Sequence, residues 1–207
     1  MNGPIPINLA VEDPLSDGVC RKLLYSSGKE FAIGATFSRG GFGYLKKTIR
    51  GFNKAARGTP FLVLTDLDNA ECAPKLQRDW LNAEKHPNLI FRVAVREVES
   101  WLLSHRDAFS AFLGISKRLI PQTVDEVMNP KELLLALASK CRKRELRTDL
   151  LPRKNSTTKQ GPNYNGRLIE FVQHDWDPVE ASKSSQSLKR ALASIVSFKP
   201  HWPEAGE

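Results

Sequence analysis

The stretch Phe61-Leu62-Val63-Leu64-Thr65-Asp66-Leu67-Asp68 decides how the rest of the chain is read. Four consecutive apolar residues followed by acids describe a strand with no solvated face. A strand buried on both faces belongs to the interior of a parallel sheet. Three further runs of this kind surround it. Residues 5–11 form a short apolar run that stops at Glu12-Asp13-Pro14, residues 31–35 form a second, and residues 89–95 a fourth. The segments between them change period. Ser16-Asp17-Gly18 opens a helix carried by Val19, Leu23 and Leu24, and residues 42–56 repeat Leu45, Ile49 and Phe52 on one face of a basic helix. A further helix is expected over 73–83. From Glu99 onward Trp101, Leu102, Phe109, Phe112 and Leu113 recur at helical spacing. Strands alternating with helices predict an α/β fold, a mostly parallel sheet flanked by helices with right-handed crossovers.

The second half reads as helical. Pro130 suits the first turn of a helix through Leu133, Leu134, Leu137 and Ala138. Residues 140–153 are strongly basic, 156–166 form a polar, Gly/Pro-rich loop, and two more helices are expected near 167–174 and 186–196, before a frayed tail from Lys199. The 207 residues are enough for one core. The expectation is a single domain over 1–207, with the sheet core in 1–113 and a helical extension in 114–207.

Hydrophobic content of 41% and charged content of 26% are those of an ordinary globular chain. No apolar run approaches the roughly 18–20 residues that span a bilayer. The N-terminus has neither a basic leader nor a cleavable apolar stretch, so a cytoplasmic protein without a membrane segment is expected. Cys20, Cys72 and Cys141 lack CxxC spacing, and His86, His105, His174 and His201 stand at no ligand spacing to them. Idle thiols and no zinc site follow. The formal net charge of +8 points to a polyanionic partner.

In an open parallel sheet, ligands bind outside the carboxyl ends of the strands. Acids stand there in three of the four expected strands: Glu12 after the first, Asp66 and Asp68 after the third, Glu97 and Glu99 after the fourth. The sheet would gather them at one edge. Crowded carboxylates repel and resist ionisation, so the set makes chemical sense around a divalent cation. Oxygen donors without His or Cys favour Mg²⁺ or Mn²⁺. The competing reading is that acids after strands serve as loop residues and helix caps. It applies most directly to Glu97 and to Asp68 taken alone.

Val11-Glu12, the Leu64–Asp68 turn and the run Val93-Ala94-Val95-Arg96-Glu97-Val98-Glu99-Ser100-Trp101-Leu102-Leu103 together resemble the Toprim superfamily. More narrowly, they resemble a bacterial Toprim-like family encoded beside ATPases in mobile and phage-defence loci. Gly161-Pro162-x-Tyr164 and Ser185-x-Ser187-Leu188 are similar to that family's C-terminal signature, so the likeness covers most of the chain. The segment starting at Glu99 also resembles a stretch of OLD-type Toprim nucleases. The resemblance implies Mg²⁺-dependent phosphodiester hydrolysis by a nuclease or nicking effector, with an ATPase partner and a role in phage defence. It implies that Glu12 is a general acid/base or metal ligand, that Asp66 and Asp68 hold the metal, and that Glu99, rather than Glu97, completes a second metal position. The chain departs from the pattern at Asp13, where the family has glycine, and no catalytic lysine can be placed by motif. The alternatives are a non-catalytic Toprim-like subunit that binds an ATPase or nucleic acid, and a primase-like phosphotransfer enzyme.

Candidate nucleic-acid contacts are Arg39 in the glycine-rich 38–43 loop, Lys46, Lys47 and Arg50 on the helix after it, Arg96, the block Lys140, Arg142, Lys143 and Arg144, and Lys159 in the polar loop. Solvated helix faces are the alternative reading. The glycine-rich loop is not a Walker A loop, since no Gly-Lys-Ser/Thr follows. Arg96 has two readings, neutralising the acids or touching a phosphate. Trp80, Trp101, Trp176 and Trp202 are expected to be packing residues.

Overall fold

The computed structural model describes residues 3–38 and 40–202. Strands β1 (Ile5–Ala10), β2 (Phe31–Phe37), β3 (Phe61–Asp66) and β4 (Leu89–Ala94) form one sheet in the order β2-β1-β3-β4, with every neighbouring pair parallel. Helices α1 (Pro14–Ser26), α2 (Gly41–Ala55) and α3 (Ala73–Leu81) join successive strands. The chain leaves β1 for β2 at one edge and β3 for β4 at the other. The winding therefore reverses between β1 and β3, the point at which open α/β sheets bind ligands.

Both faces of the sheet are covered. Ile7, Leu9, Leu62, Leu64 and Ile90 share one core layer with Leu15, Val19 and Leu23 of α1, while Phe61, Val63, Phe91 and Val93 face Leu45, Ile49, Leu76 and Trp80 of α2 and α3. This two-sided burial explains the unbroken apolar run of β3. Seven more α-helices follow among the described residues: α4 (Val98–Ser104), α5 (Arg106–Leu113), α6 (Pro130–Ser139), α7 (Arg144–Leu150), α8 (Tyr164–His174), α9 (Pro178–Ser182) and α10 (Gln186–Val196). Their Trp101, Phe109, Leu134, Phe171 and Leu188, with Trp176 between α8 and α9, extend the first layer. Trp101 donates from Nε1 to Ser187 Oγ at 2.7 Å and accepts at its carbonyl from Trp176 Nε1 at 3.0 Å. Trp80, Trp101 and Trp176 are core residues, and Trp202 is exposed.

Local chemistry sets the ends. Pro14 is the first residue of α1, where its fixed φ is suited and no donor is lost. Asp13 caps it, accepting from Ser16 N at 2.8 Å. The helix therefore starts two residues before the expected Ser16. Ser185 caps α10 by accepting from Leu188 N at 3.2 Å. The tail expected to fray from Lys199 is tied at His201, whose N–H donates to Asn88 Oδ1 at 2.7 Å and whose carbonyl accepts from Asn88 Nδ2 at 2.7 Å. Strand β2 carries a bulge: Ile33 pairs with Ile7 and Thr36 with Leu9, so Gly34 and Ala35 together oppose Asn8. Asn8 Oδ1 accepts from Ala35 N at 2.8 Å, and a Cβ on Gly34 would lie 2.7 Å from that oxygen. Among the described residues no helix is long and apolar enough to cross a membrane.

Candidate functional site

Strands β1 and β3 are neighbours and end together, so Glu12 meets the last residue of β3. Glu12 Oε1 accepts from Asp66 N at 3.0 Å and from the Thr65 hydroxyl. Asp66 Oδ1 accepts from Val98 N at 2.9 Å, which ties the end of β3 to the first turn of α4. Glu99, in that same turn, is 1% exposed. Its Oε1 accepts from the Tyr164 hydroxyl at 3.0 Å and pairs with Lys131 Nζ at 3.3 Å. Each of the three acids thus has one oxygen pinned. Among the described residues no hydrogen bond reaches the second oxygen of any of them, and Glu99 Oε2 is fully buried without a partner.

The electrostatics follow from this crowding. Burial raises the Glu12 pKa, and the charges of Asp68 and Asp13 add to it against the bonds from Thr65 and Asp66. Asp66 is held well above the usual carboxylate range by burial and then by Glu99, Glu12 and Asp68. Burial also raises Glu99, in spite of Lys131. Burial works against the Lys131 ammonium, yet Glu99, Glu97 and Asp66 together hold it above the usual lysine value. Burial and the Glu99 charge push the Tyr164 hydroxyl up, so it stays a donor.

One ammonium, paired with Glu99, therefore stands at an edge where Glu12, Asp66 and Glu99 all resist ionisation and Glu99 has an orphaned buried oxygen. A further cation would relieve both conditions, and an oxygen-only donor set suits Mg²⁺ or Mn²⁺. Among the described residues no three acidic, histidine or cysteine side chains already converge as a ligand set. Binding would have to draw the free oxygens together.

The other expected site residues divide. Asp68 is exposed on the loop after β3 at φ 48°, a left-handed conformation that Asp tolerates better than most residues. Its charge reaches Glu12 and Asp66. Glu97 Oε2 accepts from Lys131 N at 2.8 Å in the first turn of α6, which is a capping role. Arg96 Nη1 donates to the carbonyls of Asp68 and Ala70, both at 3.1 Å. It holds the loop and forms no ion pair with the acids among the described residues. Lys46, Lys47 and Arg50 are exposed along α2, with Arg50 Nε donating to Trp80 O at 3.3 Å. Lys140, Arg142, Lys143 and Arg144 are exposed around the α6–α7 junction, and Lys159 is exposed in the loop before α8. None of these bonds to the acids, and Arg39 lies outside the described residues.

Two site residues were missed from the sequence, Lys131 and Tyr164. Tyr164 had a signal in Gly161-Pro162-x-Tyr164. A Cβ on Gly161 would lie 2.1 Å from Asp149 O, so only glycine lets this loop lie on the end of α7. Gly161 N then donates to Leu150 O at 3.0 Å and Asn163 N to Asp149 O at 3.1 Å, which delivers Tyr164 to Glu99. Lys131 had none, being one of 31 lysines and arginines. Comparison with protein-family models, with curated proteins and with solved structures gives no match.

Proposed function

We propose that the chain is a Mg²⁺-dependent, Toprim-like nuclease or nicking effector that hydrolyses phosphodiesters at the carboxyl edge of β1 and β3. The observation that carries this reading is the half-pinned state of Glu12, Asp66 and Glu99 at the switch point of the sheet. The resemblance of these same segments to Toprim proteins supports it, and so does the net charge of +8. Asp66 and Glu99 would hold the metal with their free oxygens, with Asp68 reaching in from the loop. Bound there, Mg²⁺ supplies polarisation of a phosphoryl oxygen and a more acidic water.

The chain's own groups do the rest. Glu12 keeps one carboxylate oxygen free of hydrogen bonds beside Asp66, where it can take a proton from an attacking water. Lys131 brings a positive charge beside Glu99, where charge on a phosphoryl oxygen would be met. Tyr164 fixes the orientation of Glu99. The proposal extends to an ATPase partner in phage defence, on the resemblance alone. A second reading, a non-catalytic subunit that binds such a partner or nucleic acid, draws on the capping bond from Val98 to Asp66.

Thermal melts of the wild type and Asp66→Asn, with and without Mg²⁺, separate the two. Asn keeps the oxygen that caps α4. On the nuclease reading Mg²⁺ raises the melting temperature of the wild type alone, because a ligand that binds only the folded state stabilises it. Mg²⁺-dependent cleavage of DNA or RNA is then lost in the variant. An equal response to Mg²⁺ in both proteins overturns the assignment.

A further inference from the structure

The open edge of β4 carries a second charged feature of opposite sign. Arg92 on β4 projects on the side of the sheet packed by α10, and Arg190 on α10 stands beside it in a recess of ≈ 310 Å³. Arg92 Nη1 donates to Ser194 Oγ at 3.2 Å, but its Nε is buried with no partner. Neither arginine forms an ion pair among the described residues. Burial lowers the pKa of Arg92, and the neighbouring Arg190 charge lowers it further. The recess also presents Gln77 and Gln186. Its carboxylate, Asp125, has both oxygens engaged, accepting from the Ser185 hydroxyl at 2.7 Å and from Ser187 N at 3.1 Å. Two adjacent guanidiniums, one with an orphaned donor, outnumber the single carboxylate of the recess, which forms no ion pair with either among the described residues, so the recess keeps a net positive charge. Guanidinium forks match phosphoryl oxygens in geometry as well as charge.

The position adds a second argument. Arg92 precedes Ala94 by two residues, and Ala94 pairs with Asp66 across the β3–β4 ladder. At about 3.3 Å per residue and about 4.8 Å between strands, the Cα atoms of Arg92 and Asp66 are roughly 8–9 Å apart. The two sites are thus close enough in the sheet for one nucleic-acid strand to span both. We infer that Arg92 and Arg190 form a phosphoryl-binding site that holds a nucleic-acid phosphate next to the one at the acid edge. The strand-holding role rests on the nuclease reading; the phosphoryl site itself does not.

The test uses the full chain without divalent metal. Inorganic phosphate, compared with chloride at matched ionic strength, should raise the melting temperature of the wild type and of Asp66→Asn. Arg190→Gln, on an exposed position of α10, should lose most of that rise. Arg92→Lys should lose part of it, because it keeps the charge and drops the Nε donor. A labelled single-stranded oligonucleotide should bind Arg190→Gln about tenfold more weakly, with a salt dependence shallower by about one unit of slope. Unchanged phosphate response in both arginine variants, or none in the wild type, overturns the site. A phosphate response that depends on the arginines with unchanged oligonucleotide affinity overturns the nucleic-acid assignment and identifies a small phosphorylated ligand. Failure of the nuclease reading would leave the phosphate melts untouched, so the two failures are distinguishable.

Discussion

Two groups of carboxylates in this molecule have opposite characters. On the surface, Arg167 gathers Glu145 at 2.8 Å, Asp149 at 2.7 Å and Glu170 at 3.0 Å, one acid to each nitrogen of its guanidinium. At the carboxyl edge of the sheet, Asp66 feels the charges of Glu12 and Glu99, the lysine there pairs with Glu99 alone among the described residues, all three acids have raised pKa values, and Glu99 keeps an orphaned oxygen. Both bring several acids near one cation. The first is a finished ion-pair network in water. The second is short of positive charge, and at the buried Glu99 water cannot make up the deficit. Clustering alone therefore says little about chemistry, and burial combined with unengaged oxygens says much more.

The largest effect that would break this contrast is on metal dependence. Asp66→Asn or Glu99→Gln should reduce any Mg²⁺-dependent cleavage by more than about 100-fold, since losing even an outer-shell partner of a metal costs roughly 10–100-fold. Asp149→Asn in the surface network should leave cleavage within about twofold in the same assay, as expected for a surface pair worth about 0.2–1 kcal/mol. Comparable losses from both substitutions would erase the distinction.

pH offers the next sharpest comparison. Because Glu12, Asp66 and Glu99 have raised folded pKa values, the folded protein binds more protons than the unfolded chain above the ordinary carboxylate pKa near 4. Their contribution to stability is present at low pH and is lost as pH rises through the folded values. Metal-free Asp66→Asn should therefore melt higher than the wild type at pH 7.5, and the gap should narrow toward pH 5. Acid-to-amide changes around Arg167 should lower the melting temperature at pH 7.5 instead. Mg²⁺ stabilisation of the wild type should grow from pH 5 to pH 7.5, because the ligands must lose their protons.

A smaller effect is expected at Tyr164. Tyr164→Phe removes a donor to a carboxylate at a cost of about 1 kcal/mol. It also raises the Glu99 pKa further, so the pH at which Mg²⁺ begins to stabilise the protein should move upward. An unmoved pH profile would reduce Tyr164 to a packing residue. The smallest change is Asp149→Asn itself, expected to lower stability by about 0.2–1 kcal/mol and by less in high salt.

The sheet was legible because its strands are buried on both faces, which leaves uninterrupted apolar runs such as Phe61–Leu64. Strand ends located Glu12 and Asp66 on one edge, since parallel strands all finish on the same side. Helix starts were less legible: Pro14 reads as a breaker after Glu12-Asp13, although it serves as a first helical residue. Helix α9 has five residues, too few to display a period. Lys131 reaches Glu99 only because α6 packs on α4, a tertiary event with no local trace, and Tyr164 arrives from the start of α8, which packs on α1 and α7 and is announced locally only by Gly161-Pro162. The cap from Val98 to Asp66 was equally invisible, for it depends on how α4 follows β4.

The bulge in β2 acts as a change of phase. Ahead of it, Phe31 and Ile33 lean on the layer that contains α1. A regular strand would send Phe37 to that same side, since the side-chain period is two. With Gly34 and Ala35 sharing one partner, the count slips by one and Phe37 emerges on the opposite layer. There its ring meets Phe52 at 5.2 Å and Phe61 at 6.0 Å between centroids. A single strand at the rim thus fastens both sheets of packing, and the hinge between its two allegiances is the one residue too small to collide with Asn8.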